Sequence, residues 1–414
     1  MVRKGFSRII SVMVAAAVML ASSGCSSAGQ EDLMKGIVPG QVETAADVTR
    51  ESAVATDFGV RMFQESFEEG TNTLLSPLSV LCALAMTANG AAGDTLSQME
   101  EVLGLSCESL NTYVYTYLER LSEDQVLKPA NSIWIKEADG FAPNPDFLQT
   151  NADYYNAGIY QATFDGKTLK AINDWVAEKT DGMITNILDQ IPEDAVMYLI
   201  NALAFDAQWK EIYKNHQVRQ RTFTTQSGEE QSVSMMFSDE MRYLEDNYAT
   251  GFIKYYKGQD YAFAALLPKE GVTLSEYVQT LTGDHLTDLL ANPVTVHVDA
   301  AIPKFEAEYN TEMSGLLAKM GMPDAFDSRL ADFSNLGTAG GNLYIGRVLH
   351  KTYITLTEQG TRAAASTVVE MKEECAIEYT DTKTVHLNRP YLYFIIDTTT
   401  NTPFFIGTVQ SIQN

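Results

Sequence analysis

The chain is poor in cysteine, histidine and basic side chains. Its 414 residues include 4 cysteines and 5 histidines, and 29 Lys plus Arg stand against 54 Asp plus Glu, a formal net charge of -25. Such a balance excludes nucleic acid and anionic membrane as counter-charged partners, because both demand clustered Lys and Arg. What it favours is solubility. The cysteines have no metal-ligand spacing and demand no disulfide framework. Cys82 lies in an apolar helical run, where a buried free thiol is expected; Cys107 lies near a helix end and Cys375 in an exposed loop. The G-x-S-x-G, H-E-x-x-H and P-loop signatures are all missing, so neither a metal nor a cofactor is expected. There is no internal linker and no repeat of 20–50 residues, which makes one large domain acceptable at this length.

Long apolar runs are scarce too. The one at Ile9–Ala21 is shorter than the roughly 20 residues that a membrane span needs. Arg3, Lys4 and Arg8 precede it, so residues 1–24 read as a signal peptide. Ser22-Ser23-Gly24-Cys25 fits a bacterial lipoprotein signal with lipidation at Cys25, although Ser22 stands where Leu is usual; ordinary secretion is the alternative. Either way the protein works outside the cytoplasm, extracellular or at the cell envelope; in the lipoprotein reading the lipid at Cys25 is its one membrane link. Residues 25–50 mix Ser, Gly and acids without periodicity and read as a flexible tether.

Helix signals come first and strands later, an α+β order. Ser76 followed by Pro77 marks a helix start, and further helices are expected from Asp94 to Gly104, over 109–122 and around Ile172–Val176. Strands are expected at 129–136, 197–205, 252–256, 261–267, 294–299, 343–357 and 391–409. Residues 197–205 are almost continuously apolar, as in a strand buried on both faces.

The most informative stretch is EQGTRAAASTVVEMKEE, 358–374. Its alanines suit a helix, but it also alternates with period two. Thr361, Ala363, Ala365, Thr367, Val369 and Met371 form a small or apolar face, while Arg362, Ala364, Ser366, Val368, Glu370 and Lys372 form the other, mostly polar. A loop holding a latent strand is a mechanical device.

Those residues resemble the hinge of an inhibitory serpin: Glu358, Gly360, Thr361, Ala363, Ala364, Ala365 and Ser366. The resemblance runs over residues 52–412 through NTLLSPLSV (72–80), INDWVAEKTDGMI (172–184), YLINALAFDAQWK (198–210), Pro303-Lys304-Phe305, DFSNLG (332–337) and the closing hairpin 388–409. It implies the serpin fold, with three β-sheets and about nine helices, over residues 51–414. It also implies an exposed reactive-centre loop at about 358–386. The implied function is suicide-substrate inhibition of a serine endopeptidase, or of a cysteine endopeptidase as the alternative, by a monomer that is not an enzyme. A non-inhibitory binding protein of the same fold is the alternative. Counting from Glu358 puts the reactive bond at Glu374–Cys375, with Lys372 or Met371 as alternatives. The resemblance assigns control of loop entry to a Lys304–Glu358 ion pair, to Trp209 beside it, and to a buried cluster of Ser76, Ser79, Asn201 and His350. By themselves Ser76 and Ser79 read as capping groups of an apolar helix, not nucleophiles. Arg362 and Met183 depart from the family pattern, which has an acid and a lysine there.

Overall fold

All nine residues of the strand Met197–Phe205 are buried, and the computed structural model builds the molecule around it. The structure describes residues 30–412 apart from 123–125, 139, 193–194 and 362–380. Met197, Leu199, Leu203 and Phe205 face the main core. Tyr198, Ile200 and Ala202 face a second core, which Ile172 and Val176 of the helix Gly166–Lys179 close. Burial of both faces explains the unbroken apolar run.

This strand pairs antiparallel with Leu127–Lys136 on one side and parallel with Arg347–Leu356 on the other. The sheet has eight strands; Phe305–Glu312 also joins it, antiparallel to Arg347–Leu356. A second sheet of nine strands is centred on Tyr261–Pro268 and the fully buried hairpin Tyr391–Asp397 with Pro403–Val409. Ala142–Pro143 and Gly337–Thr338 make a third, two-stranded sheet. Nine α-helices lie among the described residues, so the expected α+β layout of three sheets and about nine helices is the one observed.

One boundary differs from expectation. The tether expected over 25–50 is in part built into the domain. Gln30–Asp32 forms an edge strand antiparallel to Gly158–Ala162, and Leu33, Met34 and Ile37 pack against the main core. The Gly40 N–H donates to the Asp153 carboxylate at 2.6 Å. Periodicity could not announce a strand of three residues whose hold on its neighbour is a backbone ladder. Residues 1–29, including the leader and Cys25, lie outside the described residues.

Candidate functional site

Where the strands Met197–Phe205 and Arg347–Leu356 end, their continuations separate, and a two-residue strand, Gly360–Thr361, fills the opening. Thr361 pairs antiparallel with Leu356 on one side and Ala207 on the other. Its side chain is fully buried, and its hydroxyl lies 2.6 Å from the Tyr256 hydroxyl. Glycine at 360 is required by close approach as well as by bending. Its φ is +151°, and a Cβ built there would lie 2.0 Å from the Ala207 carbonyl oxygen.

The preceding turn is gripped from one side. The Trp209 indole N–H donates to Thr357 O and its backbone N–H to Gln359 O, both at 2.9 Å; the Tyr213 N–H donates to Glu358 O at 3.0 Å. Trp209 is buried and stacks on Tyr256 with ring centres 4.4 Å apart. Lys304 and Glu358 meet at 2.9 Å. Burial opposes ionisation of Glu358, but the hydrogen bond and charge of Lys304 prevail and hold its carboxyl below the usual range. Both side chains remain about one-third exposed, so solvent screens the pair and it contributes little stability.

Further down the same interface lies the buried polar cluster. The Ser76 N–H donates to His350 Nε2 at 3.1 Å. A backbone N–H can only donate, so Nε2 is bare and the ring proton sits on Nδ1, which donates to Asn201 Oδ1 at 2.5 Å. Both protons of the Asn201 amide are used as well, on Ser79 Oγ and Asn131 Oδ1, each at 2.6 Å. Ser76 also caps its helix, Pro77–Ala88, by accepting from the Ser79 N–H. The cluster therefore ties that helix to three adjacent strands, and its His350–Asn201 bond crosses the parallel interface. Burial pushes the imidazole down to about 3.

Every expected site residue among those described is thus in one of two groups: the hinge seat, with Glu358, Gly360, Thr361, Trp209 and Lys304, or the cluster of Ser76, Ser79, Asn201 and His350. Ala363, Ala364, Ala365, Ser366, Met371, Lys372, Glu374 and Cys375 lie outside the described residues. Asn131, Tyr213, Tyr256 and Lys254 were not legible in the sequence. Asn131 and Lys254 lie within strands, Tyr256 directly follows one and Tyr213 lies in the loop before the short helix Asn215–Gln217, where nothing local distinguishes them from ordinary neighbours.

The family model for serpin (serine protease inhibitor) matches residues 53–412. An uncharacterized serpin-like protein of Methanosarcina acetivorans is 30% identical over 406 residues, covering 94% of each chain. Serpin B6 of Macaca fascicularis is 28% identical over 83% of this chain and 94% of its own. Among solved structures, the thermophilic serpin tengpin in its native state is 46% identical. It covers 93% of this chain and 100% of its own, with a TM-score of 0.89; in its latent state it is 44% identical, covers 90% and 100%, and scores 0.79. The chain belongs to the serpin family, whose members are in general protease inhibitors, not enzymes.

Two outcomes follow from this geometry. His350 is neutral when folded and takes up a proton near 6.5 when unfolded. Its contribution is therefore present above about pH 6.5 and is lost progressively as pH falls toward 3, at up to about 1.4 kcal/mol per pH unit. Urea unfolding at pH 7 and pH 5 should show a larger drop for the wild type than for His350→Gln; equal drops would contradict it. Gly360→Ala should expel the hinge strand and red-shift Trp209 emission. An unshifted spectrum would mean that the seat tolerates a Cβ.

Proposed function

We propose that this chain is a suicide-substrate inhibitor of serine or cysteine endopeptidases. The target cleaves the loop beyond Thr361 and becomes acylated on the residue before the bond. The freed segment then enters the central sheet as a new strand and carries the protease with it. The bond proposed for cleavage is Glu374–Cys375, with cleavage after Lys372 or Met371 as the alternatives. Glu374 implies a glutamate-directed enzyme.

The observation that carries this reading is the register of the hinge strand. Thr361 is opposite both Leu356 and Ala207. If that register continued, positions 363, 365, 367, 369 and 371 would come opposite Phe205, Leu203, Asn201, Leu199 and Met197 on one side. On the other they would meet Ile354, Thr352, His350, Val348 and Gly346. The gap between the two strands would be filled at Met371, the last small or apolar position of the alternating stretch. Thr367 would fall between His350 and Asn201, the pair whose mutual bond must break when the strands part. The residues named for that face are small or apolar, so they can be buried there cheaply. Insertion would also replace one parallel ladder by two antiparallel ones, which are the more stable per residue. Arg362 would fall on the opposite face.

The test is incubation with glutamyl, trypsin-like and subtilisin-like proteases, followed by denaturing electrophoresis. A complex that survives denaturant, with mass spectrometry locating the cleaved bond, is expected. The variant with both Ala363→Arg and Ala365→Arg should be cleaved without forming it. Cleavage of the wild type without complex or gain in heat stability would instead favour a non-inhibitory binding protein. We also propose export and a lipid anchor at Cys25. Cys25→Ala should shift the protein from the membrane fraction to the soluble fraction; unchanged partitioning would refute the anchor.

A further inference from the structure

We infer that Lys254 and Glu240 are positioning residues: a buried ion pair that holds the hinge seat closed and sets how readily Glu358–Thr361 lets go. Lys254 lies in the strand Ala249–Tyr255 and Glu240 in the strand Glu230–Glu245. Lys254 Nζ is 2.8 Å from Glu240 Oε1, and the two side chains are only 4% and 13% exposed. The ammonium also lies 4.5 Å from the Tyr213 ring centre and 5.5 Å from that of Trp209. Glu240 Oε1 takes a second hydrogen bond, from Ser238 Oγ at 2.8 Å, and that hydroxyl is 3.3 Å from the Tyr213 hydroxyl.

The two rings against Lys254 belong to the two residues whose backbone N–H groups hold the hinge. Trp209 donates to Gln359 O and Tyr213 to Glu358 O. Charge pair, aromatic rings and hinge carbonyls therefore form one continuous stack. Moving either ring would withdraw a cation–π partner from an ammonium with almost no access to water, where such contacts are strongest. Removing one member of a buried pair leaves the other charge uncompensated, a large penalty. The Lys304–Glu358 pair, about one-third exposed on each side, is screened. The hidden pair, rather than the visible one, sets the grip on the hinge.

The grip is tested by hydrogen exchange at the Trp209 and Tyr213 amides. Lys254→Met should accelerate both by about tenfold or more, and Lys304→Met by less. Exchange in the hairpin strand Tyr391–Asp397 should not change. Should Lys254→Met fold poorly because Glu240 is left unpaired, the double variant Lys254→Met with Glu240→Gln carries no orphan charge. It should still exchange faster at the two amides, because the cation between the rings is gone. No local acceleration, or equal acceleration throughout the chain, would overturn the assignment. A consequence for function rests on the inhibitor reading: the variants should convert faster to a heat-resistant, loop-inserted form. If wild-type protein gains no heat resistance after loop cleavage, that reading fails, while the exchange measurement still decides the role of Lys254.

Discussion

Everything distinctive about this molecule depends on the parallel ladder between Met197–Phe205 and Arg347–Leu356. Two central strands, buried over most of their length, are joined in the weaker of the two pairing modes, while an antiparallel strand is already seated where they part. Under the insertion proposed above, a better-paired arrangement would lie within reach of the chain. Separation of the two strands would be resisted by the polar groups along their interface.

The His350–Asn201 bond is the clearest of them. Each donor and acceptor named in that cluster has its partner, down to the last proton of the Asn201 amide. A satisfied buried network is rigid and specific. The same network would be costly half-made, so any parting of the strands would be all-or-none instead of a gradual loosening. At the hinge the control is of another kind. Three hydrogen bonds from Trp209 and Tyr213 fix the turn, and a buried charge stands behind the two rings. Cluster and hinge seat are separated along one interface, so a change at either one leaves the contacts of the other in place.

Exposure separates the two ion pairs near the hinge. Lys304–Glu358 is the one that a resemblance points to, and its geometry is good, yet solvent reaches both partners. Lys254–Glu240 is hidden and has no motif around it. Burial, which no single position in a sequence declares, decides which of them matters.

Much of the fold was legible from residue patterns. The unbroken apolar run 197–205 required a strand covered on both faces, and Ser76-Pro77 required a helix start; both are there because hydrophobic burial and capping are local rules that the tertiary structure had no reason to override. The motifs shared with the serpins pointed to Glu358, Gly360 and Thr361, which meet Trp209 and Lys304 at the end of the parallel ladder; the alternation beyond Thr361 lies outside the described residues. Other features were decided only in three dimensions. Gln30–Asp32 joined the sheet through backbone bonds, to which side-chain patterns are blind. Gly360 is needed because the Ala207 carbonyl oxygen comes too close for a Cβ, a contact across more than 150 positions. Lys254 acquired its place because distant segments set Trp209, Tyr213 and Glu240 around it. Residue patterns set which segments could be buried or extended; packing chose which polar groups would meet out of solvent, because partners far apart in the chain are brought together by the fold and not by composition.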